Sequence, residues 1–312
     1  MRVGAMLKLN HAELIENERA RPADHRKGHD GYRRKMAALR DTFFEQFLTR
    51  EARRHPSNDE IIAAFGDLPP ADLAVPYDLT PEGLEHVSRC VQRKYVIHFK
   101  NIRRCWALLL QHMPELMAEG CAPREVLEMS TAHGATLEIL RRKGHRVIGN
   151  DFANFVGGAA LDSRYRDFNG SDLTSARDDH GLHDGSGVVR DWPYRPITES
   201  LGLDVRLFDA GSGPYPFADK SLDSVICFDA IEHYCHPRDW MKVVGEFTRI
   251  ARRSVLVVPN AVAPHDAKRK DYIEAVYAFQ RDMRNYSDDG WACVHAGVLR
   301  NQLSVFKLMR LG

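Results

Sequence analysis

The segment spanning residues 125–152, EVLEMSTAHGATLEILRRKGHRVIGNDF, constrains the fold of this 312-residue chain more than any other part. Apolar residues flank Glu128, and the run ends in a turn of small residues over 130–134, as a buried parallel strand does. Residues 135–143 predict a helix, because basic residues in a last turn followed by glycine mark a helix C-terminus. A second apolar strand then ends at Asp151. The segment therefore predicts a βαβ unit.

The spacing within this unit indicates a cofactor site of the nucleotide type. Asp151 lies about 20 residues beyond the turn, where an acid at the end of a second strand binds ribose hydroxyls. A turn of small residues lets backbone N–H groups approach a ligand closely, and each added Cβ restricts that approach.

These residues resemble the first motif of the class I S-adenosylmethionine (SAM) dependent methyltransferases of the methyltransferase type 11 kind, roughly E-x-G-x-G-x-G. Glu128, Ser130, Ala132 and Gly134 occupy its places, so two of three glycines are replaced by the smallest other side chains. The resemblance implies an α/β, Rossmann-like, seven-stranded sheet, mostly parallel with an antiparallel last strand.

A second block, residues 205–260, resembles the middle of the same family. Val205–Phe208 match its third strand, and Asp209 and Ala210 follow where the family contacts adenine. The loop 214–223 resembles L-P-F-x-D-x-S-F-D, and an apolar fourth strand ends at Phe228.

The resemblance assigns roles to individual residues. Asp209 would hold the adenine, Asp151 the ribose and the turn 130–134 the methionine end, with Glu128 supporting the turn or the cofactor's amino group. The cofactor-binding residues it implies are Glu128, Ser130, Ala132, Gly134, Asp151, Phe152, Asp209, Ala210 and Asp229.

Asp229, Glu232 and His233 are the candidate catalytic residues, because ligands of open α/β sheets bind outside the carboxyl ends of strands. An imidazole at that place can take a proton from an acceptor hydroxyl or amine near neutral pH. A structural histidine hydrogen-bonded at the strand end is the open alternative.

The pattern Asp229-x-x-Glu232-His233 also resembles the E-x-x-E-H of metal-assisted O-methyltransferases, which makes Mg²⁺ a possible second cofactor. His265 or His295 is available as a further ligand, but spacing fixes neither. Metal-free relatives share the pattern, so no residue is assigned to a metal.

Composition narrows the class of protein. A net charge of +1 and the lack of a basic stretch interleaved with aromatic residues do not favour a nucleic-acid partner. Six cysteines without a C-x-x-C pair argue against a zinc ribbon and a disulfide framework. No apolar stretch reaches the ~18 residues of a membrane span, and no signal core opens the sequence, so a cytoplasmic location is expected. The oligomeric state is left open.

Two regions flank the matched blocks. Residues 1–120 predict a helical N-terminal extension or lid, and 121–312 the methyltransferase domain. An insertion at about 153–193 is either a disordered loop or an ordered flap over the substrate. The helices predicted in the extension are His11–Arg19, Gly31–Arg54, Asn58–Phe65 and Pro81–Met117.

Together these patterns predict a SAM-dependent methyltransferase acting on a small-molecule or glycan-like acceptor, with O-methylation favoured. A nicotinamide enzyme would need G-x-G-x-x-G, of which only Gly134 is present. The alternative from another class is a catalytically inactive, methyltransferase-like scaffold or partner-binding protein, for which Ser130 and Ala132 are the evidence.

Overall fold

The structure, a computed structural model, describes residues 56–70, 73, 98–151, 194–211, 213–262, 266–298 and 304–311. The described chain divides into two compact units, one within residues 62–209 and one formed by residues 210–312 with residues before 62. The helices predicted at 11–19 and 31–54, the first part of the segment 81–117 and the insertion 153–193 lie outside the described residues, as do Phe152 and His265.

Helix α1, Asn58–Phe65, matches its predicted bounds. It begins with a reciprocal cap: the Glu60 N–H donates to Ser57 Oγ at 3.2 Å, and the Ser57 N–H donates to Glu60 Oε2 at 2.6 Å. Such a cap satisfies donors that a helix start leaves without partners.

The first unit contains the predicted βαβ arrangement. Its strands are all parallel, in the order β3-β2-β1. Its elements are helix α2 (His98–His112), helix α3 (Pro114–Met117), strand β1 (Glu125–Met129), helix α4 (Ala135–Arg142), strand β2 (Arg146–Asp151), helix α5 (Arg195–Ser200) and strand β3 (Val205–Leu207).

Helix α2 comes from the predicted N-terminal extension and packs into this unit. Ile102, Trp106 and Leu109 lie on one helical face and are buried, as apolar residues at this spacing are when one face meets a core. Trp106 Nε1 donates to the Asp67 carbonyl at 2.8 Å, and Lys143 of α4's C-cap lies 4.9 Å from the centre of the indole. Helix α2 is thus packed against the βαβ unit. The predicted boundary between residues 1–120 and 121–312 stays a prediction.

The second unit carries the remaining strands, in the order β4-β5-β8-β7-β6. Strands β4 and β5 are parallel, whereas β8 is antiparallel to both β5 and β7. Its elements are strand β4 (Leu222–Phe228), helix α6 (Trp240–Ile250), strand β5 (Ala251–Val258), helix α7 (Lys270–Arg284) and strands β6 (Ser287–Asp288), β7 (Trp291–Val298) and β8 (Ser304–Arg310).

The described residues form eight strands, not the seven predicted. The additional strand is β6, whose two residues pair with Trp291 and Ala292. Asp289 and Gly290 connect β6 and β7 with φ of 44° and 75°. Two central residues with positive φ define a tight hairpin turn, and Asp-Gly is its strongest sequence signal. The sequence therefore contained the information for this strand.

The predicted fold class is confirmed: an α/β, Rossmann-like chain with mostly parallel strands and an antiparallel last strand. The two longest described helices, α2 and α7, have 15 residues each. None of the helices in the described ranges is both long and apolar enough to traverse a bilayer.

Candidate functional site

The turn after β1 has positive φ at three alternate residues, of which only one is a glycine. Ser130, Ala132 and Gly134 have φ of 53°, 48° and 83°, and the residues between them do not have positive φ. For an L-residue, the left-handed region costs roughly 1–2 kcal/mol. Ser130 and Ala132 are therefore held in a strained backbone conformation.

This alternation gives the turn a shape suited to an anion. Successive N–H groups in alternating right- and left-handed residues form a concavity that binds negative charge. Ser130 and Ala132 are partly exposed, so the turn reaches the surface of its unit. Three N–H groups of the turn, those of Thr131, Ala132 and Gly134, donate within the protein, and the acceptor for Ala132 is the carboxylate of Asp151.

The end of β2 fixes this turn. The Ala132 N–H donates to Asp151 Oδ2 at 2.8 Å, and the Thr131 N–H donates to the Asn150 carbonyl at 2.8 Å. Asp151 is buried, at 8% exposure. The structure thus brings the predicted ribose-binding acid onto the turn itself, and its contact with a ribose remains a prediction.

Glu128 lies beneath the turn. The Thr131 hydroxyl donates to its Oε2 at 3.1 Å. Burial raises the pKa of Glu128 to about 8, although the hydroxyls of Thr136 and Thr131 act in the opposite direction. Near pH 7 the protonated carboxyl therefore predominates, and Glu128 can donate a hydrogen bond as well as accept one.

Two glycines let the turn approach its neighbours, and the sequence analysis assigned no role to Gly149 of β2. A Cβ at Gly149 would lie 2.6 Å from Thr131 Oγ1 and 2.9 Å from Leu137 Cδ1. A Cβ at Gly134 would overlap Leu203 Cδ1. A glycine inside a strand often marks such close approach, which was the available signal.

The side chain of Asn150 fixes the end of β3, where the predicted adenine acid lies. Its Nδ2 donates to the carbonyls of Phe208 at 3.1 Å and Asp151 at 3.0 Å. The Phe208 N–H donates in turn to the Asp151 carbonyl at 3.2 Å. Asp209, the next residue, is partly exposed. Asn150 is a second residue that the sequence analysis missed.

In the second unit, helix α6 fixes the loop that follows Ala210. The Tyr215 hydroxyl donates to the Ala210 carbonyl, and the Tyr215 N–H donates to Glu246 Oε2, both at 2.7 Å. Arg249 donates to the Phe217 carbonyl at 3.0 Å and to Glu246 Oε2 at 2.8 Å. This pair of opposite charges therefore sets the path of the loop.

At the end of β4, Asn260 contacts two of the three predicted catalytic residues, Asp229 and Glu232. Asp229 has φ of 51°, and its N–H donates to the Val258 carbonyl at 2.7 Å. Asn260 Nδ2 donates to the Asp229 carbonyl at 3.0 Å and also to Glu232 Oε1, and the Asn260 N–H donates to Glu232 Oε2 at 3.3 Å. Asn260 was not among the predicted site residues.

His233 is the accessible member of this group. Its side chain is 61% exposed, against 13% for that of Glu232, and its Nε2 lies 3.4 Å from Glu232 Oε1. Burial raises the pKa of Glu232, while His233 and Asn260 lower it. A half-buried carboxyl group therefore lies beside an exposed imidazole, and the role of His233 as a general base stays a prediction.

The Mg²⁺ alternative gains no support. Within the described ranges, no group of three or more His, Cys, Asp and Glu side chains is arranged to hold a metal ion. Glu232, which would be a ligand, accepts hydrogen bonds from Asn260 at both oxygens.

No protein-family model matches the chain, and no curated protein matches it. Solved structures that it resembles include a Pyrococcus horikoshii protein, at 12% identity over 68% of this chain and 91% of that one, with a TM-score of 0.42. Another is the SAM complex of the magnesium protoporphyrin IX methyltransferase of Synechocystis, at 12% identity, 72% and 85% coverage and a TM-score of 0.37.

A third is a SAM-dependent methyltransferase of Aquifex aeolicus, at 13% identity over 68% of this chain and 97% of that one, with a TM-score of 0.34.

Proposed function

We propose that this chain is a SAM-dependent methyltransferase. The observation that carries the proposal is the turn at Ser130–Gly134, which holds positive φ at three alternate positions although two of them are not glycine. Strained backbone persists only where its surroundings over-determine it, and it concentrates at ligand sites. Here Asp151 and Asn150 supply those surroundings.

The residues of the first unit fit the parts of SAM. We assign the turn 130–134 to the methionine end, and Asp151 and Asp209 offer carboxylates at strand ends for ribose hydroxyls and the adenine amino group. Glu128, as a neutral carboxyl under the turn, stabilises it without placing a second negative charge beside an anion.

SAM, when bound, supplies a methyl group on a sulfonium, so the protein's work is to orient the acceptor and to remove its proton. We assign proton removal to His233, with Glu232 and Asn260 fixing its orientation and Asp229 shaping the strand end. An imidazole suits a hydroxyl acceptor, which favours O-methylation of a small molecule or glycan. The near-neutral net charge fits such an acceptor better than a nucleic acid.

Calorimetry tests cofactor binding. SAM and S-adenosylhomocysteine would be titrated into the wild type, Asp151→Asn and Asp151→Ala, with Asp204→Ala as the matched control, because Asp204 is an exposed acid at 55% side-chain exposure. We expect Asp151→Ala to weaken binding about tenfold or more, since it loses a hydrogen bond to a charged group. Asp204→Ala should bind as the wild type does.

An assay with tritiated SAM tests transfer. Mixtures of phenols and catechols, of sugars and of primary amines would serve as acceptors, and we expect label in the hydroxyl-bearing mixtures. With an acceptor found, His233→Asn should lower kcat about a hundredfold, the usual contribution of a general base. His295→Asn, another exposed histidine of the same unit, is the control.

A scaffold that has lost its chemistry is the second candidate, and one observation favours it: Asp151 occupies the Ala132 N–H that a ligand would use. If the wild type binds neither SAM nor S-adenosylhomocysteine at millimolar concentration, this second candidate replaces the first.

A further inference from the structure

A pair of side chains connects helix α2 to the candidate cofactor turn. Asn101, in the first turns of α2, places its Nδ2 2.9 Å from Nε2 of His133. His133 lies between Ala132 and Gly134, the last two positions of the turn that have positive φ. The two residues are 32 positions apart in the sequence.

The chemistry of this contact defines the state of both side chains. An amide nitrogen only donates, so Nε2 of His133 accepts and its proton lies on Nδ1. His133 is 7% exposed and Asn101 is partly exposed, so the bond is partly shielded from competing water. A part-buried hydrogen bond of this kind restrains the orientation of the ring, and through the ring it restrains the backbone of residue 133.

Helix α2 is rigid enough to serve as an anchor. Ile102, adjacent to Asn101, is 0% exposed, and Trp106 is 1% exposed and hydrogen-bonded to the Asp67 carbonyl. The amide of Asn101 is therefore held by a packed helix, and its position relative to the turn does not depend on an exposed loop.

The turn needs such an anchor because two of its glycines are absent. Ser130 and Ala132 favour leaving the left-handed region, and Asp151 restrains the N–H of Ala132. Thr131 is held by Asn150 and Glu128. The bond between Asn101 and His133 adds a restraint from helix α2. Together these bonds hold a conformation that glycines would adopt at no steric cost.

We propose that Asn101 is a positioning residue of the cofactor site: through His133, it holds the non-glycine turn in the shape that binds the carboxylate end of SAM. This inference rests on the proposed function. It makes helix α2, which carries none of the motif residues, part of the cofactor site.

The test is a double-mutant cycle read in SAM affinity. Calorimetry would measure the Kd of SAM for the wild type, Asn101→Ala, His133→Ala and the double variant, with urea unfolding of each in parallel. Each single change should raise the Kd about fivefold, as the loss of one hydrogen bond does, and the double variant should add nothing further. Gln111→Ala, which truncates another amide on the same helix, should leave the Kd unchanged.

Asn101→Asp gives a second, conservative variant. Its carboxylate can accept from His133 in the other tautomer, so the Kd should return to within twofold of the wild type. An Asn101→Ala protein that is less stable yet binds SAM with the wild-type Kd would overturn the inference alone. Absence of SAM binding by the wild type would overturn the proposed function and the inference with it.

Discussion

Ala132 donates its backbone N–H to the carboxylate of Asp151 at 2.8 Å while its φ is 48°. The bond joins the third residue of the turn after β1 to the acid that ends β2. It explains how an alanine stays in a conformation that its Cβ disfavours, because releasing it would leave the buried carboxylate without that donor.

Restoring a glycine at this position should stabilise the protein. Ala132→Gly removes the Cβ from a residue at positive φ, and we expect the free energy of unfolding to rise by about 1 kcal/mol. Urea denaturation measures it. Ala135→Gly, three residues later in helix α4, is the matched control and should cost about 1 kcal/mol. If both substitutions destabilise equally, Ala132 is not strained.

A methyl group added at Gly149 should destabilise the turn after β1. Gly149→Ala places Cβ 2.6 Å from Thr131 Oγ1, and overpacking of this kind costs about 1–3 kcal/mol. Gly245→Ala, in helix α6, is the control, since a Cβ there meets nothing within 4 Å and alanine favours a helix. Thermal unfolding should show a lower melting temperature for Gly149→Ala than for the wild type, and a higher one for Gly245→Ala. Equal melting temperatures would show that the turn yields freely.

The stability of the protein should depend on the ionisation of Glu128. Its folded-state pKa of about 8 lies above the usual value of 4.5, so the folded state binds the proton more tightly. The stabilisation is complete below pH 4.5 and is lost as the pH rises to about 8. Glu128→Gln mimics the neutral carboxyl, so its free energy of unfolding should exceed that of the wild type at pH 9.

Denaturation curves at pH 5, 7 and 9 give the free energy of unfolding of the wild type and of Glu128→Gln, and subtracting one from the other cancels the contribution of other groups. This difference should change by an amount on the order of a few kcal/mol between pH 5 and pH 9. A difference that stays constant over this range would contradict a protonated Glu128.

Loss of Arg249 should loosen the loop after Ala210. Its guanidinium binds Glu246 and the carbonyls of Tyr215 and Phe217, and hydrogen bonds to charged groups are worth about 1.5–3 kcal/mol. Arg249→Met should therefore destabilise by about 2 kcal/mol in urea denaturation. Arg238→Met, at 73% side-chain exposure, should change stability by less than about 0.5 kcal/mol. Similar losses in both would mean that the loop does not depend on this pair.

Local sequence patterns predicted the helices and strands of the βαβ unit. The contacts between residues that are distant in the sequence were not predicted. The apolar run around Glu128 and the basic helix end before Gly144 predicted β1 and α4, because these signals act within a few residues. Asn101 and His133, or Arg249 and the Tyr215 loop, meet only after folding, so no spacing reveals them. The Asp289–Gly290 hairpin was readable and was missed.

The backbone conformation of Ser130 and Ala132 could not be predicted from the sequence, for a different reason. Their side chains disfavour positive φ, but the conformation that the backbone adopts also depends on its hydrogen bonds to Asp151 and Asn150. Tertiary hydrogen bonds outweigh that local preference here, as they commonly do at functional sites.

Cofactor binding is tested most directly by titrating SAM into the wild type and into the Ser130→Gly, Ala132→Gly double variant. We expect both to bind SAM, the double variant at least as tightly, because the turn already has the backbone conformation that glycine adopts freely. No heat of binding from either protein at millimolar SAM would contradict this expectation, since neither strain nor side-chain bulk would then explain the failure.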